Sequence, residues 1–146
     1  MEIRQAKLHE ASAVVMLVQA LWPHHTTNEL REELLQLLKR VDAAFFLAYH
    51  HECPVGYAHN ASCAGITWRT AVPALSGIWR GYTWRLHSVG RALPGRLLAQ
   101  CEKWAKSCGC AEFTSDCELD NTVSLSFHLN TGFTEAGRTI CFCKML

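Results

Sequence analysis

Between residues 8 and 58 the apolar side chains change period, and that change constrains the fold more than any other feature of the chain. Ala11, Val14, Val15, Val18 and Leu21 recur near helical spacing, so Leu8 to Leu21 reads as an amphipathic helix that Pro23 stops. Thr26, with Glu29 three residues on, forms a capping box. Leu30, Leu34, Leu37 and Leu38 then mark a second helix ending near Arg40. There the helical period stops. Ala43 to Tyr49 is a continuous apolar run of strand length, His50 to Pro54 turns the chain, and Val55 to Ala58 returns as the next strand.

The same reading extends to both ends. Residues 2–6 suit a short first strand, and Leu97 to Ser107 is helical, with Leu98, Cys101 and Ala105 on one face and Gly109 as its C-terminal cap. Ala111 to Ser115 is a strand and Asp116 to Asp120 an acidic loop. Asn121 to Asn130 is a helix closed by Gly132, and Arg138 to Lys144 alternates like a final strand. The order βααββ…αβαβ, without repeat or linker, predicts one α+β domain over residues 1–146: a mixed central sheet flanked by helices on both faces.

Composition matters mainly for what it excludes. With a formal net charge of +1, no broad field draws the chain to nucleic acid or to a membrane. No run is apolar enough to span a bilayer, and the start Met1-Glu2-Ile3-Arg4 does not resemble a signal peptide, so a cytoplasmic location is expected. The eight cysteines include the close pairs Cys108/Cys110 and Cys141/Cys143. On a strand, that spacing puts both thiols on one face, so packed thiols are expected rather than disulfides or a metal site.

Two blocks carry a family resemblance. One is Ala20-Leu21-Trp22-Pro23-His24-His25 with Phe46-Leu47-Ala48 and Pro54-Val55-Gly56-Tyr57-Ala58. The other runs through Glu102-Lys103-Trp104, Gly109-Cys110-Ala111-Glu112-Phe113, Ser115 to Asn121, Phe127-His128 and Gly132-Phe133, closing at Cys141-Phe142 and Lys144. Both resemble the aminoglycoside 6′-N-acetyltransferases of the GNAT superfamily. The resemblance implies a GNAT-type domain, acetyl-CoA as cosubstrate, no metal, aminoglycosides as acceptors and a homodimer.

It also implies roles. Asp116 matches the family's substrate-binding carboxylate and is a candidate for helping to strip the proton from the attacking amine. Around it, Glu112, Glu118 and Asp120 add negative charge suited to a polycation. Trp22 and His25 match positions lining the aminoglycoside site, and an indole packs well on a sugar ring or an ammonium group. Asn121 caps its helix and matches a position touching CoA near the thioester. His128 stands where many GNAT proteins carry a tyrosine that protonates the leaving thiolate, a task imidazole can perform. Read bare, each has a plainer role: a solvated loop acid, helix-end packing, a surface histidine pair, a cap, a partly buried helix histidine. A non-catalytic GNAT-like protein binding aminoglycoside or CoA is the alternative.

Residues 62–95 depart from the family pattern. The pyrophosphate loop, resembling R-x-x-G-x-G/A before a helix, finds only a loose match in Arg85 to Gly90, leaving Val89, Gly90, Arg91 and Ala92 as the cofactor-binding candidates. The segment repeats Trp68-Arg69, Trp79-Arg80 and Trp84-Arg85. Codons chosen to encode Ser76 to Pro94 read, two bases later, as GYLEGIYVEAAFRGQGIA, which contains the missing strand and loop. Two readings of the pattern stand side by side: a compensated frameshift across residues 62–95, which the sequence permits, and a divergent loop.

Overall fold

The computed structural model describes residues 1–21, 23–66, 73–84 and 92–145, with backbone alone at Leu21, 63–66 and 73–84. Its elements run β1 (Glu2–Gln5), a 3-10 turn (Leu8–Glu10), α1 (Ala11–Leu21), α2 (Thr27–Leu38), β2 (Ala43–His50), β3 (Cys53–Ile66), β4 (Pro73–Trp84), α3 (Leu93–Ser107), β5 (Glu112–Thr114) and α4 (Thr122–Asn130). The strands form one sheet in the order β1-β2-β3-β4-β5, antiparallel except for the parallel β4–β5 pair. This is the expected α+β arrangement with a mixed sheet.

The continuous apolar run in β2 has a simple cause: both of its faces are covered. Phe45 and Leu47 pack with Val14, Leu17, Val18, Leu30 and Leu34 of α1 and α2. Ala44, Phe46 and Ala48 face the other way, onto Leu93, Leu97, Leu98 and Cys101 of α3. Alternate strand residues point to opposite faces, so a strand between two helical layers has no polar side. Burying each of these large side chains contributes about 1.5–3 kcal/mol.

The caps act as expected. Thr26 and Glu29 close a reciprocal capping box at the start of α2. Gly109 (φ 78°) follows α3 and Gly132 (φ 98°) follows α4, both in the left-handed conformation that ends helices. His51 (φ 55°) takes the same region in the two-residue turn between β2 and β3.

Three expectations need correction. Arg138 to Lys144 forms no strand: residues 133–145 carry no regular structure, and Ile140 and Phe142 are 79% and 91% exposed. Alternation supplies strand propensity, but a strand also needs an edge to pair with, and the described sheet ends at the three-residue β5. The cysteines are mostly not packed. Among the described ones only Cys101 is buried; Cys53, Cys117, Cys141 and Cys143 are exposed, and neither close pair lies on a strand. Lastly, α3 begins at Leu93, one turn before Leu97, with Pro94 in the first turn, where its missing N–H costs no helical hydrogen bond.

Much of the atypical segment is regular. β3 runs on to Ile66 and pairs with β4 from Ile66↔Pro73 to Gly56↔Trp84. Residues 67–72 and 85–91 lie outside the described residues. Tyr57 and Asn60 on β3 are buried, with the phenol and both amide atoms unpartnered, a local cost to the core. No described helix is long and apolar enough to cross a membrane.

A charged cluster ties β1 to β2. Glu10 is buried; it accepts hydrogen bonds from Arg4 at 2.7 Å, the Tyr49 hydroxyl at 2.7 Å and the Lys7 backbone N–H at 3.0 Å. Burial alone would raise its pKa, yet the Arg4, Tyr49 and Lys7 hydrogen bonds outweigh it and hold the carboxyl at about 2. The folded value lies below the ordinary 4.5. The ionised cluster therefore stabilises the fold fully above pH about 4.5, and this contribution is lost as pH falls toward 2. Glu10→Gln is expected to cost roughly 2–3 kcal/mol at neutral pH. Urea titrations from pH 7 to pH 2 check this: the difference between wild type and variant should shrink toward the acid end.

Candidate active site

The site begins where two parallel strands part. β4 and β5 are paired at Ser76↔Glu112, Gly77↔Phe113 and Ile78↔Thr114. Beyond that pair β5 ends, while β4 continues through Trp84 against β3. Ser115 and Asp116 stand at this fork, as the first residues past the last pair. Phe113 is drawn into the core beneath α3, with Phe127 and Phe133 beside it. The anchored strand end aims the acidic connection out of the sheet, and Asp116, Glu118 and Asp120 are all exposed.

The connection folds back into α4 through its own hydrogen bonds. Asn121 N–H donates to the Glu118 carbonyl at 3.0 Å and Thr122 N–H to the Asp120 carbonyl at 2.9 Å. The Asn121 side-chain oxygen accepts from Ser124 N–H at 3.0 Å, which makes Asn121 the N-cap of α4. Asp116 and Asn121 are thus brought into one short acidic turn at a helix start.

His128 lies deeper in the same unit. It is 8% exposed, with its ring edge-on to Phe127 and Phe133 at centroid distances of 5.8 and 5.1 Å. Its Nδ1 is 2.7 Å from the Ser124 carbonyl oxygen and its Nε2 is 2.9 Å from the Ser115 hydroxyl. A carbonyl only accepts, so Nδ1 carries a proton, and in the neutral ring Nε2 accepts from the Ser115 hydroxyl.

The remaining candidates are more dispersed. His25 is exposed in the connection between α1 and α2. There it adds to a pull on Glu29, whose carboxyl is held below the usual carboxylate range chiefly by hydrogen bonds from Thr26. Trp22, Val89, Gly90 and Arg91 lie outside the described residues. Ala92 is the exposed N-cap of α3, and its carbonyl accepts from Arg96 N–H at 3.2 Å. Among the described residues no group of three or more His, Cys, Asp or Glu is placed to hold a metal ion. Reading the sequence assigned no task to Ser115 or Ser124. Ser124 meets His128 one turn away within α4, whereas Ser115, thirteen residues back, is joined to it only by the packing of α4 against the end of β5.

A fork between parallel strands, closed on one side by a helix start, also defines the class of protein. The profile of the acetyltransferase (GNAT) family matches residues 12–133, and the chain belongs to that family. Its relatives include an aminoglycoside N(6′)-acetyltransferase type 1 of Acinetobacter genomosp. 13, 32% identical over 88% of this chain and 87% of the relative. Another, of the same description, from Stenotrophomonas maltophilia, is 32% identical over 96% of this chain and 90% of its own length. Among solved structures, AAC(6′)-IG from Acinetobacter haemolyticus superposes with a TM-score of 0.87 at 26% identity, covering 100% of this chain and 99% of that one. AAC(6′)-Iy in complex with the bisubstrate analogue CoA-S-monomethyl-acetylneamine shares the fold, with a TM-score of 0.90 at 23% identity over 99% of this chain and 98% of that one.

The Asn121 cap is testable by itself. Asn121→Ala is expected to lower stability by about 1 kcal/mol through loss of the acceptor for Ser124 N–H, whereas Asn121→Asp keeps an acceptor and most of the stability. Urea denaturation of the two variants measures the difference.

Proposed function

We propose that this chain transfers the acetyl group of acetyl-CoA to the 6′-amino group of aminoglycoside antibiotics. The observation that carries the reading is the fork itself: β4 outruns β5, and the opening ends in an acidic turn that meets a capped helix start. The 32% identical relatives support the acceptor class. An aminoglycoside is a polycation, and Asp116, Glu118 and Asp120 give it exposed carboxylates.

In this reading Asp116 grips the ammonium groups and helps draw the proton from the attacking amine, with Trp22 and His25 as the other walls of the acceptor site. Asn121 steadies the thioester arm, and His128 returns a proton to the leaving thiolate. Val89, Gly90, Arg91 and Ala92 precede α3, whose first turn carries N–H groups at Leu93 and Gly95, though not at Pro94, that suit a pyrophosphate. The reaction belongs in the cytoplasm, where acetyl-CoA is made available. Thiol release from acetyl-CoA with kanamycin as acceptor tests the activity. Turnover is expected, with kcat/KM about 10–100-fold lower for Asp116→Asn. Equal rates in the two proteins would remove Asp116 from the mechanism, and binding of acetyl-CoA without turnover would leave a binding protein.

The chain is further proposed to work as a homodimer. The exposed Ile140, Phe142 and Met145, together with the outer edge of β5, are what an association between two copies would cover. Sedimentation should give the mass of two chains for the wild type and a shift toward one for Phe142→Glu. A wild-type monomer at micromolar concentration would exclude the dimer.

A further inference from the structure

His128 is buried, and one of its ring nitrogens points toward the fork by way of a hydroxyl. That arrangement decides how it can exchange protons. Nδ1–H is committed to the Ser124 carbonyl at 2.7 Å, a backbone group fixed within α4. Nε2 accepts from the Ser115 hydroxyl at 2.9 Å. The flanking Phe127 and Phe133 rings hold the imidazole edge-on and fill the space beside it. Ser115 is the first residue beyond the last β4–β5 pair and is only half-buried, so the hydroxyl that meets the buried ring belongs to the residue at the fork.

We propose that Ser115 is a catalytic residue of the acetyl transfer, linking the reacting amine and thiolate to His128 as a two-member proton relay. This rests on the acetyltransferase reading above and names a group in that site. Once Asp116 has helped the acceptor ammonium lose its first proton to solvent, the free amine nitrogen forms its bond to the thioester carbonyl carbon, and its surplus proton passes to Ser115 Oγ. The proton already on Ser115 passes to His128 Nε2, giving an imidazolium whose Nδ1–H stays on the Ser124 carbonyl. The carbon–sulfur bond then breaks and the thiolate leaves with the electron pair. The imidazolium returns its proton through Ser115 to the sulfur, giving amide and free thiol, with serine and histidine in their starting forms. Asp116, next in the chain, favours the positive charge while it resides on the relay.

The arrangement has a physical advantage over a directly acting histidine. A ring anchored at both nitrogens and walled by two aromatic rings loses little motion when it takes a proton. Because His128 acts through Ser115, it is a positioning and proton-holding residue.

The test compares wild type, Ser115→Ala and Ser115→Thr in the kanamycin-dependent thiol assay, with thermal unfolding of each as a control. Ser115→Ala is expected to lower kcat by about 100-fold with KM for both substrates within about threefold, since a positioned acid–base group contributes about 10²–10⁴. Ser115→Thr restores the hydroxyl and should recover kcat to within about fivefold. The solvent deuterium isotope effect on kcat should be larger in wild type than in Ser115→Ala. Unchanged kcat in Ser115→Ala, in a wild type that turns over, overturns the relay alone. A folded wild type without turnover overturns both the relay and the acetyltransferase reading. If Ser115→Ala unfolds, Ser115→Cys keeps the size and weakens the hydrogen bond, and full kcat in that variant also overturns the relay.

Discussion

The parallel pairing of β4 with β5 is the interaction on which the rest of the structure depends. It spans only Ser76 to Ile78 against Glu112 to Thr114, yet it joins the antiparallel half of the sheet to the segment carrying the acidic turn and α4. A longer ladder would close the fork, and no pairing would leave Ser115 and Asp116 without a fixed direction. The parallel sense follows from α3, which returns the chain across the sheet so that β5 runs alongside β4, as strand–helix–strand units do. Buried Leu93, Leu97, Leu98 and Cys101 hold that helix against β2 and β3.

Around this pairing the protein keeps its polar groups in two differently built places. The Arg4–Glu10–Tyr49 cluster is far from the fork in the chain, is closed on itself and serves cohesion, because each lone pair used on Glu10 meets a donor. The Ser124–His128–Ser115 chain is linear instead. One end is fixed to backbone within α4 and the other reaches the Ser115 hydroxyl, on the first residue past the β4–β5 pair. A closed cluster stores stability, whereas a linear chain running from the helix to the strand end is what the proposed relay uses.

Some elements were legible in the residues because local physics decides them. The Thr26/Glu29 box, the left-handed glycines at 109 and 132 and the doubly buried run in β2 each have a cause within a few residues. The C-terminal segment shows the opposite. Thr139, Cys141 and Cys143 alternate with Ile140 and Phe142 as a strand would, yet the segment stays irregular and exposed. Alternation states which face would be buried, not whether an edge is available. Cys108 and Cys110 mislead similarly, since α3 ends at Ser107 and the pair falls in the turn after it.

What the sequence by itself determined is the succession of elements, the family, and the acidic turn with Asp116 and Asn121, because these depend on period, caps and contiguous motif residues. Only the tertiary structure decided that His128 is buried, that both its ring nitrogens are engaged, and that the Ser115 hydroxyl, just past the end of β5, is the partner of one of them. The reason is distance along the chain. Ser115 and His128 are thirteen residues apart, on a strand end and a helix, and no local rule sets the packing that brings their polar atoms to 2.9 Å.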